Sequence, residues 1–290
     1  VTTLDALRHR WGFSEEMIDA FFRPFLGGIL LDRDLQASSR MFEFVFRMFS
    51  KGATAIPAAG MEAIPRQLAA GLPPPSIHLE TRVARVEPGR VHLENGEKRE
   101  ARAVVVATEA PEAERLLGRS DASIQTSGRS TVNLYYSTDV PPVEDPVLVL
   151  GADPSEGPIN NLVVLTNAAP SYAPPGTSLV SISVVGSPEQ GDDEVERQVR
   201  RQLVTWYGAA AETWQHLRTY RIPYALPDQA PPFLTPPERP LKLQEGLYIC
   251  GDHRRTASIN GAMAAGRHAA VRIAGDLALQ EGTSAEKPSA

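Results

Sequence analysis

Apolar residues fall at helical spacing through the first fifty positions and then change rhythm. Leu4, Leu7 and Trp11 share one helical face, and Ser14 ahead of Glu16 and Met17 marks a fresh start that Ile18, Phe21, Phe22 and Phe25 continue. Pro24 and Gly27-Gly28 are expected to interrupt that run. A second helix is predicted over 38–49, where Met41, Phe42, Val45, Phe46, Met48 and Phe49 fill a core or line a pocket, core being the commoner use of such a surplus. Ile64, Leu68 and Ala69 predict a third helix, stopped by Pro73-Pro74-Pro75.

The period then shortens to two. Ile77, Leu79, Thr81, Val83 and Val86, then Val91 and Leu93, alternate as strands do, and Glu94-Asn95-Gly96-Glu97 is a hairpin signal. Residues 103–108 form a continuous apolar run suited to a parallel strand buried on both faces, followed by a short helix to Leu117. Alternation returns at 131–137, 147–150, 161–167 and 179–185. A helix with Val195, Val199, Leu203 and Trp206 on one face and a strand over 214–222 come next. Seven prolines within 223–240 are expected to exclude helix and central strand and to impose a stiff, extended path.

The last patterned stretch reads as strand, tight turn and helix. Leu247 to Cys250 ends at Gly251-Asp252, and a loop leads through Ser258 and Asn260 into Gly261, Ala262, Ala264, Ala265, Gly266, Ala269 and Ala270. Small residues let a backbone or a flat ligand approach closely, and the first helical turn offers unpaired N–H groups and a positive dipole end. A local alternative is an Asp that caps its own turn ahead of a packing helix. Beyond Gln280 the composition predicts a disordered tail.

Composition narrows the functions. A net charge of -6 in 290 residues gives no basic surface for nucleic acid or anionic lipid. The lone Cys250 allows no internal disulfide, which fits a reducing, cytoplasmic setting, and no apolar run reaches the roughly 18 residues of a membrane span. The six histidines lack metal-ligand spacing, so no metal is expected. No Gly-x-Ser-x-Gly elbow supports a hydrolase.

The Gly251-Asp252 pair and the Ser-Ile-Asn-Gly-Ala-Met-Ala-Ala-Gly-Arg helix start resemble the C-terminal flavin motif of FAD-dependent amine oxidases, protoporphyrinogen oxidases and phytoene desaturases. Ile56 to Ala69, with Gly60, is similar to the family's return into its flavin domain. The resemblance implies an α/β fold, α+β overall: a partial Rossmann-like FAD domain plus a substrate domain with a mostly antiparallel sheet and a helical region. It also implies segments: 1–56 and 119–240 for the substrate domain, 57–118 and 241–280 for the FAD domain, and 281–290 as the tail. Asp252 would bond the ribityl chain, with Gly251, Ser258, Ile259, Asn260 and Ala262 at the flavin and diphosphate. Val83 would reach the adenine, and Ala107 and Thr108 the adenosine diphosphate. Tyr136 and Tyr224 would face substrate, and His253, Arg254 and Arg255 would either reach the phosphates or form a solvated basic loop.

Departures from the pattern carry information. The family's Gly-x-Gly-x-x-Gly turn is missing, so the expectation is that an N-terminal segment lies outside this chain, that FAD binding here is weak or absent, and that the uncovered face favours self-association. The family lysine after paired tyrosines is Ser137 here, one cage aromatic is Ser258, and no cysteine is placed to tether the flavin, so FAD is expected to be non-covalent. Simple amine oxidation loses weight to hydride transfer from a hydrophobic small molecule. A non-catalytic relative that binds a ligand or a partner stays open as the alternative.

Overall fold

The computed structural model describes residues 1–118, 124, 126–236 and 238–285. Contacts divide the chain into two units, Val1–Ile77 with Gly128–Leu226, and His78–Ser127 with Pro227–Ala290.

The first unit begins with helices. α1 (Thr3–Asp5) and α2 (Glu15–Met17) are capped by Thr2 and Ser14, and each widens into a π-turn, over Ala6–Arg10 and Ile18–Phe22. α3 (Arg23–Leu30) runs straight through the expected interruption: Pro24 sits in its first turn, where a missing N–H costs nothing. Gly27 and Gly28 serve close packing instead of a break, since a Cβ on Gly28 would stand 2.7 Å from side-chain atoms of Asn160 and Asn161. α4 (Ser39–Lys51) buries Met41, Phe42 and Val45, and Phe22, Phe25, Phe42, Phe46 and Phe49 join in one aromatic cluster, while Met48 and Phe49 stay exposed, so half of the apolar surplus is core. α5 (Ala63–Ala70), within the 57–118 stretch read from sequence as a flavin-domain segment, groups by contacts with the first unit, whose boundary here is Ile77.

The second unit then supplies β1 (Val83–Glu87), β2 (Arg90–Leu93) and β3 (Lys98–Glu100), an antiparallel sheet in that order. Asn95-Gly96 makes the predicted turn, with Gly96 at φ 88°, where glycine is at ease. Ile77 and Leu79 form no strand; Leu79 is 82% exposed, because alternation without a pairing partner does not make one. β4 (Val104–Val106) and α6 (Ala110–Leu117) follow.

Back in the first unit come β5 (Gly128–Thr138), β6 (Leu148–Leu150), β7 (Asn161–Val164), the short α7 (Leu165–Ala168), β8 (Ser178–Val185), α8 (Asp192–Tyr207) and β9 (Gln215–Pro227). They build a five-stranded sheet in the order β6-β7-β8-β5-β9. Val132, Leu134 and Tyr136 of β5 and Val180, Ile182 and Val184 of β8 pack on Val195, Val199 and Leu203 of α8. Period two puts one set of strand residues on that dry face and the other set opposite. β9 runs on through Pro223, correcting the expected linker start: it is an edge strand, where a proline need not donate to a neighbour.

In the second unit, β10 (Lys242–Gln244) and β11 (Leu247–Ile249) join β4 in the order β10-β11-β4, with β11 parallel to β4 as the apolar run over 103–108 implied. α9 (Ile259–Ala285) extends past Gln280, so 281–285 are helix and not tail; the remainder of that expectation, 286–290, lies outside the described residues. Asp276 pins α9 to this sheet by accepting from Tyr248 Oη at 2.8 Å and Lys242 Nζ at 2.9 Å, with Arg272 Nε at 3.1 Å. These donors hold its carboxyl at about 2, below the ordinary 3.8. Among the described residues no helix is long and apolar enough to cross a membrane.

Candidate functional site

Parallel pairing of β4 and β11 brings the C-terminal ends of both strands to one edge, where crossover topologies leave a crevice for ligands. Cys250 N donates to Val106 O at 2.9 Å, which sets Ala107 and Thr108 beside Gly251. Gly251 adopts φ 150°, ψ 175°, a conformation open to glycine; a Cβ there would lie 2.6 Å from the His253 ring and 3.4 Å from Thr108 O. The chain then makes one 3-10 turn over Asp252–Arg254.

Asp252 keeps its side chain 27% exposed, and among the described residues its carboxylate faces only His253 Nδ1, at 3.9 Å. Neither ring nitrogen of His253 has a hydrogen-bond partner among the described residues, although the ring is fully buried. His253 and Arg254 turn inward and Arg255 pairs with Glu238, so the solvated basic loop weighed from sequence does not form.

Ser258 caps α9: its Oγ accepts from Gly261 N at 2.9 Å, and its carbonyl accepts from Ala262 N at 3.0 Å. The amides of Ile259 and Asn260 have no acceptor among the described residues, and both residues are exposed. Gly261 is required by packing, since a Cβ would stand 1.9 Å from Thr256 O. Ala107, Thr108, Gly251, Asp252 and the start of α9 thus all lie in the second unit, the first four at the strand ends and the helix start a short loop away. Val83 lies in the other sheet of that unit, and its carbonyl already accepts from Arg115 Nη2 at 3.0 Å, as Ala84 O does from Nη1 at 3.1 Å.

The two tyrosines expected to meet substrate lie in the first unit, one buried and one partly exposed. Tyr136 is fully buried in the core, its hydroxyl donating to Glu196 at 3.2 Å and its ring under Arg200; burial beside Glu196 pushes its phenol up. Thr131, Asn133 and Tyr135 occupy the opposite, open face of β5. Tyr224 lies on Gly128, where its ring atoms sit 2.3 Å from the position a Cβ would take.

A family model described as flavin containing amine oxidoreductase matches residues 4–274. The chain belongs to this family. Solved structures agree in fold: an oxidoreductase from Methanosarcina mazei is 18% identical with a TM-score of 0.68, covering 97% of this chain and 68% of its own. Reduced UDP-galactopyranose mutase is 11% identical with a TM-score of 0.66, over 87% of this chain and 62% of its own. Cyclohexylamine oxidase from Brevibacterium oxydans is 15% identical with a TM-score of 0.53, over 75% of this chain and 53% of its own. This chain therefore spans about half to two thirds of these relatives. The sequence matches no curated protein.

The residues present fit the flavin that this family implies. A carboxylate without an internal donor suits the hydroxyls of a ribityl chain, the unpaired amides of Ile259 and Asn260 suit anionic or carbonyl oxygens, and the absent Cβ at Gly251 permits close approach. Among the described residues no cluster of His, Cys, Asp or Glu could hold a metal ion.

Proposed function

We propose that this chain is the C-terminal part of an FAD-dependent oxidoreductase that oxidises a hydrophobic small molecule, with the cofactor held non-covalently at the β4 and β11 strand ends. FAD, when bound, supplies the redox chemistry by accepting a hydride. The protein's own groups bind and orient: Asp252 accepts from the ribityl hydroxyls, and the first turn of α9 directs N–H groups and its positive dipole end at the anionic portion. Ala107 and Thr108 line the approach, with Gly251 keeping it clear of side-chain atoms. Cys250 is no tether, because it is buried and its thiol is pushed up by burial, which suppresses the thiolate.

The observation that carries this reading is the half-buried Asp252 carboxylate, without a hydrogen-bond donor among the described residues, in the same short stretch of chain as the two unpaired amides that open α9. In the full-length protein, Asp252→Ala is expected to weaken FAD retention by about tenfold or more, from loss of a charge-assisted bond worth roughly 1.5–3 kcal/mol. Flavin absorbance after gel filtration measures it. Unchanged retention removes Asp252 from the site, and a colourless protein that ignores added FAD removes the function.

A further inference from the structure

The open face of the first unit's sheet carries a groove of about 390 Å³ lined by Leu31, Thr131, Asn133, Tyr135, Ser183, Tyr220 and Ile222. Its size falls in the range of small-molecule sites, and a mostly apolar lining with few convergent polar groups is their usual make-up. Register explains how the lining converges: Asn133 opposes Ser183 and Tyr135 opposes Ser181 between β5 and β8. Tyr135 and Tyr220 meet edge to face with ring centroids 5.9 Å apart, and the Arg218 guanidinium lies over the Tyr220 ring at 4.9 Å. Leu31 enters from the end of α3 in the left-handed region, at φ 52°, a conformation that costs a branched residue energy.

One side-chain amide in this lining has donor capacity to spare. Asn133 Nδ2 donates to Ser181 Oγ at 3.1 Å, and Asn133 Oδ1 accepts from Ser183 Oγ at 3.0 Å and from Ser181 Oγ at 3.4 Å. The serines fix the amide and occupy its oxygen, so the second N–H of Nδ2 is the unspent one. Thr131 spends its hydroxyl proton on Val184 O at 2.9 Å. No residue lining the groove carries a charge. An apolar groove whose spare donors are the Asn133 N–H and the phenol hydroxyls of Tyr135 and Tyr220, with no anionic group, suits an oxygen acceptor on an uncharged ring compound better than a protonated amine.

We propose that this groove binds a neutral, ring-bearing small molecule through one carbonyl or hydroxyl oxygen, which accepts the spare N–H of Asn133 while the ring packs against Tyr135 and Tyr220. The site belongs to the first unit alone and does not depend on the flavin reading.

Three near-isosteric probes test it on the full-length protein by 1H–15N NMR titration: acetophenone, 1-phenylethylamine (protonated at neutral pH) and ethylbenzene. Acetophenone is expected to bind tightest, to shift the Asn133 side-chain amide signals, and to weaken about tenfold in Asn133→Leu while ethylbenzene is unaffected. Asn133→Asp, which keeps an acceptor for Ser183 but loses the N–H, should weaken acetophenone as well and guards against a fold defect in the first variant. Tyr220→Ala, on the exposed edge strand, should weaken acetophenone and ethylbenzene alike. Tighter binding of the ammonium probe, equal affinity for acetophenone and ethylbenzene, or indifference to both Asn133 variants would overturn the proposal, whatever the FAD titrations show.

Discussion

The strand-end loop of the second unit and the groove of the first unit are built from opposite materials. The loop is mostly backbone: Gly251, the 3-10 turn, the free amides of Ile259 and Asn260, and one carboxylate, all within a dozen consecutive residues. The groove is side chains gathered from Leu31, the 131–135 stretch, Ser183 and the 220–222 stretch, so chain segments nearly two hundred residues apart meet on one sheet face. A site made of backbone tolerates varied side chains but forbids a Cβ at a few positions. A site made of side chains lives or dies by which face of a strand each residue takes.

The sharpest way to break this comparison is at adjacent tyrosines. Tyr136→Ala empties the packed face and is expected to cost about 3–5 kcal/mol, whereas Tyr135→Ala on the open face should cost no more than about 1 kcal/mol. Urea denaturation measures both, and equal losses would mean that the two faces are not distinct. Next in size is the helix start: Gly261→Ala forces a methyl to within 1.9 Å of Thr256 O and should cost about 1–3 kcal/mol. Gly266→Ala, with nothing within 4 Å of its new methyl, should instead stabilise α9 by about 1 kcal/mol or less. If both glycine variants behave alike, close approach at Gly261 is not what selects glycine there.

A further effect concerns pH. Because the folded carboxyl of Asp276 titrates near 2 against an ordinary 3.8, its contribution to stability is complete above about pH 4 and is lost as pH falls through 2. Asp276→Asn should therefore lower the melting temperature by a constant amount above pH 4, and the two curves should converge toward pH 2. Parallel curves throughout would show that the anchor between α9 and its sheet is not ionic.

Much of the loop was legible in the linear sequence because its signals are local. A strand ending at Gly251-Asp252, a loop through Ser258 and a small-residue helix all lie within one stretch, and turn preference acts over three or four residues. The parallel strand over 104–106 and the Asn95-Gly96 turn were readable for the same reason. Where the reading failed, a longer-range fact intervened. Pro24 and the glycines of α3 read as breaks, yet the proline fell in a first turn and the glycines met Asn160 and Asn161. Ile77 and Leu79 alternated without a neighbouring strand, and the stretch from Pro223 became an edge strand because of its place in the sheet order.

By itself, then, the sequence determined most of the elements and the strand–turn–helix at Gly251, since periodicity and turn preference are properties of neighbouring residues. Only the tertiary structure decided which tyrosine of the pair faces out, that His253 is buried, and that Asn133 has a donor to spare. Each of these depends on pairing register and on the partners that distant segments bring, and a one-residue shift of register would exchange every inward side chain of β5 for an outward one.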